Sequence, residues 1–303
     1  MVENGNNFQE ERYLIINADD FGMSHSTNQA VVELLKNGYI SSASIMMPCP
    51  WACEAAYFSR ENPQFSVGIH LTFTSEWKCY KWGPATVSHK TNSLTDDYGF
   101  FYDSAYAVER YADPLQVRRE IESQIKRALT MKVEPSHLDN HMGSLYGLST
   151  GRDFLSAVFD FCEEYGLPFR LPKKPQQDIE QKLPFKTKEM LYNRIAEAES
   201  RGIMLPDYLI GLSTVEHADY DVCREQIINT LIGLKPGVTE LYIHPAKDSE
   251  ELRAITENWP GRHNEYLVFQ DPEVKEVLVR ENIKIISWKN LRDVQRRGKQ
   301  DKS

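Results

Sequence analysis

Residues 12–38, RYLIINADDFGMSHSTNQAVVELLKNG, contain a complete strand-to-helix unit. Residues 12–19 are a compact run rich in apolar and β-branched side chains, as a strand covered on both faces requires. Residues 28–37 switch to helical spacing. Ala30, Val31, Leu34 and Leu35 make the apolar stripe, and Gly38 is placed to stop the helix. The same alternation recurs along the chain. Runs at 40–47 and 67–73 read as strands, with a helical 51–59 between them. Further helices are expected at 114–131, with Asp113 as N-cap and Pro114 at the first helical position, and at 153–165, ended by Gly166. Helical pattern returns at 220–232 and 273–280, and strands are expected at 136–142, 168–171, 208–212, 240–244 and 283–288. Repeated strand–helix alternation favours a TIM-barrel-like parallel (β/α) barrel. An open doubly wound sheet is the alternative, but no Gly-rich phosphate turn follows the first strand.

The chain has 303 residues, 41% hydrophobic and 26% charged, an ordinary soluble globular composition. This length suits one large domain over 1–303, with 1–11 and 292–303 as flexible ends. The net charge of -9 argues against nucleic acid or an anionic membrane as partner. Nothing approaches the roughly 18 consecutive apolar residues of a membrane span. The polar, acidic start has no signal-peptide pattern, and five scattered cysteines suit a reducing compartment. A cytoplasmic location is therefore expected.

Polar residues gather where a barrel places its chemistry, at the C-terminal ends of the strands. Asn17, Asp19 and Asp20 end the first strand, His70 lies in the third, and His244 ends a later one. His137, Asp139 and His141 are spaced two apart, so one strand would direct all three to one side. Adjacent Asp19 and Asp20 would point to opposite faces unless the turn rotates one inward. Any of these alone reads as a cap or a structural hydrogen-bonding group; five at one end of a barrel read as a site. One carboxylate with two imidazoles is a set suited to a divalent metal with open positions. A second carboxylate as base and a further histidine as acid would complete the inventory for amide or ester hydrolysis.

The motifs N-A-D-D-F-G (17–22), G-I-H-L-T (68–72), H-L-D-N-H (137–141) and I-H-P (243–245) occur in the order typical of one family. The sequence resembles the YdjC-like carbohydrate deacetylases, from about residue 12 to 288. The resemblance implies a distorted (β/α) barrel, one divalent metal ion (magnesium or zinc) and removal of an acetyl group from an N-acetylated sugar or oligosaccharide. It further implies Asp20, His70 and His141 as metal ligands and Asp19 as general base toward a metal-activated water. His244 is implied as general acid, and Asp139 as an orienter of a ligating histidine. His137 stands beside them as an alternative ligand, and Arg262 as a contact to substrate or Asp19, or else a solvated loop arginine. Two departures from the pattern leave these residues intact: Met142-Gly143-Ser144 follows His141, and Ala246 follows the I-H-P strand. The implied partner is a small carbohydrate, and a homodimer is one assembly the chain allows.

A long stretch after the third strand, 76–111, holds Trp77, Tyr80, Trp82, Tyr98, Phe100, Phe101, Tyr102, Tyr106 and Tyr111. Flat aromatics suit sugar faces and equally suit packing of a loop onto the barrel. Other functions fit less well. Asp20-Phe21-Gly22 lacks every other kinase segment. A non-haem iron oxygenase site of His137, Asp139 and His244 would belong on a different fold, and a metal- and sugar-binding barrel without turnover needs no spare base.

Overall fold

In the computed structural model, which describes residues 11–87, 89–175, 177–212 and 218–300, the strand–helix units of the sequence are built around one curled parallel sheet. In chain order the elements are β1 (Arg12–Phe21), α1 (His25–Lys36), β2 (Ser42–Ile45), α2 (Ala52–Glu61), β3 (Ser66–Leu71), α3 (Ala105–Tyr111), α4 (Pro114–Thr130) and β4 (Leu138–Asn140). They continue as α5 (Leu155–Tyr165), α6 (Gln177–Lys182), α7 (Phe185–Ser200), β5 (Tyr208–Gly211), α8 (Tyr220–Ile232), β6 (Gly237–Ile243), α9 (Glu250–Ile255), α10 (Trp259–Val268), α11 (Pro272–Arg280), β7 (Lys284–Ile285) and α12 (Trp288–Gln300).

The strand order is β4-β3-β2-β1-β6-β5, with β7 beside the start of β1. Residues 168–171, expected as a strand, make only one bridge, Leu138 to Phe169. That segment still carries hydrogen bonding from β4 toward β5, since Leu138 N–H donates to Pro168 O and Phe169 N–H to Met204 O. The result is a distorted α/β barrel.

Side-chain alternation sorts the core into two layers. On β1, Leu14, Ile16 and Ala18 face the helices and belong to the large apolar cluster that includes Ala30, Val31, Leu34 and Leu35 of α1. Tyr13 and Ile15 point the other way and meet Val238, Ile286, Trp288 and Leu291 in a second, smaller cluster. Asn17 and Asp19 share that inner face, one and two steps further along the strand. The barrel interior is thus apolar at the strand starts and polar toward the strand ends.

Helix signals behave as their chemistry demands. Asp113 accepts from Leu115 N–H and Gln116 N–H at the start of α4, and Gly166 ends α5 at φ 62°. Strand 136–142 is shorter than expected. It stops at Asn140 because Asn140 Oδ1 accepts from Leu145 N–H, Ser144 Oγ donates to His141 O, and Met142 and Gly143 take φ 53° and 63°. Strand 283–288 is likewise cut to Lys284–Ile285, and Trp288 opens a helix. Residues from 292, expected as a flexible end, continue that helix through Gln300. Arg292 and Gln295 are buried, and Arg292 donates to Pro135 O, so the tail is anchored across the strand starts. Residues 1–10 and 301–303 lie outside the described residues. The stretch 76–111 ends in α3 and holds Trp82 and Phe101 fully packed. The five cysteines are free thiols. No described helix is long and apolar enough to cross a membrane.

Candidate active site

Strict alternation would send Asp20 to the helix side of β1. Instead the register with β2 shifts between Ala18 and Phe21, and Asp20 adopts φ 62°. Such a bulge rotates one side chain against the pleat. Asp19 Oδ2 and Asp20 Oδ1 consequently lie 3.9 and 3.7 Å from the same atom, His70 Nε2. The left-handed backbone disfavours a residue with a Cβ by about 1–2 kcal/mol, and such strain collects where geometry is functional.

Two histidines converge on Asp20. His70, on β3, has its Nδ1 2.8 Å from Asp139 Oδ1 and turns Nε2 toward Asp20. His141, on the turn after β4, uses the opposite nitrogens: Nε2 is 3.0 Å from Glu76 Oε2, and Nδ1 is 3.3 Å from Asp20 Oδ1. One ligand atom from each of Asp20, His70 and His141 lies within 4.8 Å of the others, and all three residues are buried. Both Asp20 oxygens are buried, and no well-formed hydrogen bond reaches them from the described residues. Arg262 Nη2 approaches Oδ2 at 2.8 Å as an ion pair.

The charges are tightly linked. Burial works against ionised Asp20, yet Arg262, His141 and His244 hold its carboxyl well below the usual range. Burial also opposes a charged His141, but Glu76 and Asp20 overrule it and push the ring up to about 10. His70 is raised in the same way, against burial, by Asp139 and Asp19. Each imidazole is drawn toward positive charge by the acids around it, a demand that a divalent cation also meets. Two other buried groupings, Asp19–His70–Asp139 and His137–Asp139–Glu240, have the donors for a metal. In both, the carboxylates share one guanidinium, with Arg170 Nη2 2.6 Å from Asp19, 2.9 Å from Asp139 and 2.8 Å from Glu240, whereas Arg262 meets only Oδ2 of Asp20.

Arg170 is the principal residue that sequence reasoning missed. Its Nη1 and Nη2 donate to Asp19 Oδ2 and Oδ1, each at 2.6 Å, a bidentate clamp, while Nε and Nη2 donate to Glu240. Asn17 Nδ2 also donates to Asp19 Oδ1. Three carboxylates share this guanidinium, and burial, aided by Asp139 and Asp19, raises Glu240 to about 7 despite Arg170. A signal was present: Arg170 interrupts the apolar run 168–171, and Glu240 interrupts β6.

The remaining sequence-predicted residues separate in space. His137 is fully buried, stacked on Trp288 at 4.6 Å, with Nδ1 2.9 Å from Ser136 Oγ. It needs Gly68 opposite, where a Cβ would sit 2.3 Å from its ring. His137 is not in the grouping around Asp20. Asp139 contacts His70 and takes a hydrogen bond from Ser44 Oγ at 2.7 Å. His244 follows β6, its N–H donating to Glu265 Oε2; its Nδ1 is buried without a hydrogen bond from a described residue. Arg262 is neither a loop residue nor a partner of Asp19. It sits buried on α10, paired with Asp20, its guanidinium 5.4 Å from the centre of the Trp77 ring.

The aromatic stretch is partly a packing device. Trp82 donates from Nε1 to Thr74 O and lies edge-on to His141, while Trp77, Tyr80 and Trp82 pack against one another. Trp77 also borders open space. With Glu76, Lys78 and Cys79 it faces Arg253–Asn258 across a cavity of about 560 Å³. One wall residue of this cavity, Glu76, is thus the partner of His141.

The family profile described as YdjC-like protein matches residues 13–280. The chain belongs to the YdjC-like family. A carbohydrate deacetylase of Thermoanaerobacter pseudethanolicus is 29% identical over 286 residues, covering 93% of this chain and 100% of that protein. A carbohydrate deacetylase of Thermus thermophilus is 28% identical over 282 residues, covering 93% and 94%. The crystal structure of an Enterococcus faecalis protein named for cellobiose-phosphate cleavage shares the fold, with a TM-score of 0.73 and 23% identity over 93% of this chain and 99% of that one. In this YdjC-like chain the matched span includes Asp19, Asp20, Glu76, His70, His141, Arg170, His244 and Arg262, whereas Trp288 lies beyond it.

Proposed function

We propose that this protein is a metal-dependent carbohydrate deacetylase acting on an N-acetylated sugar or oligosaccharide. The observation that carries the reading is the convergence of Asp20, His70 and His141 beside a second carboxylate, Asp19, which a buried arginine holds separately. Relatives named carbohydrate deacetylase, matched over nearly the whole chain, supply the substrate class.

Asp20, His70 and His141 would hold one divalent ion, magnesium or zinc. The donor set suits it: one carboxylate whose oxygens lack well-formed hydrogen bonds, and two imidazoles whose nitrogens face it. When bound, such an ion polarises a carbonyl and acidifies water. Asp19 then takes the water's proton. Arg170 and Asn17 fix the direction of its carboxylate, and Oδ2, 3.9 Å from His70 Nε2, borders the grouping around Asp20. His244, whose side-chain Nδ1 is not tied up by the described residues, donates a proton to the departing amine. The cavity bordered by Glu76 and Trp77 receives the sugar beyond the reacting acetamide.

Acetate release from a panel of N-acetylated mono- and oligosaccharides, with and without chelator, tests this directly. Chelator-sensitive release by the wild type, lost in Asp19→Asn with metal still bound, is expected. Equal release by Asp19→Asn would remove Asp19 as base. Metal bound without release from any sugar would keep the metal grouping and move the substrate outside N-acetylated sugars.

A further inference from the structure

A ligating histidine must offer a lone pair on one nitrogen and place its proton on the other, and that proton needs an acceptor to fix the ring. His70 meets this requirement with Asp139 at 2.8 Å from Nδ1, which leaves Nε2 toward Asp20. His141 is the mirror case, with Glu76 3.0 Å from Nε2 and Nδ1 left toward Asp20. We infer that Glu76 is the positioning residue of His141, setting which ring nitrogen faces Asp20 and thereby the affinity of the grouping for a divalent metal. The inference rests on the metal reading proposed above and assigns a role to a residue outside its catalytic set.

The chain around Glu76 is built to hold it there. Ser75 N–H donates to Tyr102 O at 2.7 Å, Trp82 N–H donates to Ser75 Oγ, and Lys81 Nζ donates to Ser75 O. On the other side Trp77 lies under the Arg262 guanidinium, and Arg262 pairs with Asp20. The segment from Ser75 to Trp77 therefore touches the site twice, through His141 and through Arg262. A simple loop tether between Glu76 and His141 would predict a change in stability and none in metal affinity.

The test is zinc titration of the metal-free, full-length protein by calorimetry, comparing wild type, Glu76→Ala, Glu76→Gln and Lys81→Ala. Removing such an outer partner typically weakens metal binding about 10- to 100-fold, and that loss is expected for Glu76→Ala. Glu76→Gln keeps an acceptor for the His141 proton without the charge, so it should recover part of the loss. Lys81→Ala loosens the same loop but leaves Glu76 itself in the chain, so its loss of zinc affinity should be smaller than that of Glu76→Ala. An equal loss would overturn a specific role for Glu76. Zinc binding in both Glu76 variants equal to wild type would overturn the inference while leaving the ligands in place. A wild type that binds no zinc or magnesium would overturn it together with the metal reading. If Glu76→Ala does not fold, Glu76→Leu decides, since wild-type zinc affinity in a variant with no acceptor for the His141 proton would overturn the inference.

Discussion

His70 and His141 face the same Asp20 oxygen, but one is carried by a strand and the other by a turn. The strand-borne half of the site comprises His70, Asp139, Asp19 and Glu240, with Arg170 at its centre. Its side chains point inward because the pleat sends every second residue there, and each is locked by several buried partners. The other half comprises His141, Glu76 and Arg262, all on segments outside the strands. They are placed by contacts between chain segments far apart in sequence, and Glu76 also lines the cavity. The contrast teaches that one end of the site is part of the sheet, whereas the other is assembled from loop, turn and helix residues, of which Glu76 borders the cavity.

Breaking the strand-borne half should do the most damage. Arg170→Met strands three buried carboxylates and should destabilise the protein by about 3–5 kcal/mol, read from urea unfolding. A loss below that produced by Arg262→Met would show that Arg262, not Arg170, is the main buried counter-charge. Asp19→Asn retains the fold, and its turnover should fall about 10²- to 10⁴-fold, the range for losing a general base. The measurement is acetate release at saturating metal.

Glu240 sharpens the comparison through pH. Its carboxyl is raised from 4.5 to about 7, so the folded form keeps a proton that the unfolded chain loses. Its contribution to stability is complete below about 4.5 and is lost as pH rises through about 7. Glu240→Gln cannot ionise, so its melting temperature should fall less than that of wild type across this window. Parallel behaviour of the two proteins would remove Glu240 as the titrating group. The smallest effect is expected in the turn. Met142 has φ 53° and an exposed side chain, so Met142→Gly should relieve strain and stabilise by about 0.5 kcal/mol net of glycine's entropy. A loss of stability would mean that the Met142 side chain supports His141.

The strand-borne half was largely legible in the sequence because period-two alternation and polar interruptions in apolar runs are local signals. Asp19, Asp20, His70 and Asp139 stand out in that way, and the caps at Asp113 and Gly166 are equally local. Arg170 and Glu240 carried the same signal inside the expected strands 168–171 and 240–244, but a single charged residue in an apolar run does not show which carboxylates or guanidinium it will meet. His141 was identified on the premise of a continuous strand, which the Asn140 and Ser144 hydrogen bonds interrupt. Glu76 offered no such signal, since an acid in a loop before an aromatic stretch is ordinary. The tail from 292 was misjudged for a related reason: its basic composition reads as solvated, yet long arginine stems can pack while their heads reach backbone carbonyls.

By itself, the sequence determined the strand–helix alternation, the apolar stripe of the first helix and the helix ends at Asp113 and Gly166, because these depend on spacing along one chain. Which arginine serves which aspartate, which nitrogen of each histidine faces Asp20, and how Asp20 turns inward beside Asp19 were decided only by the tertiary structure. Those outcomes depend on charges and backbone torsions brought together from segments as distant as Asp19 and Arg170, and electrostatic pairing over such separations leaves no periodic trace in the chain.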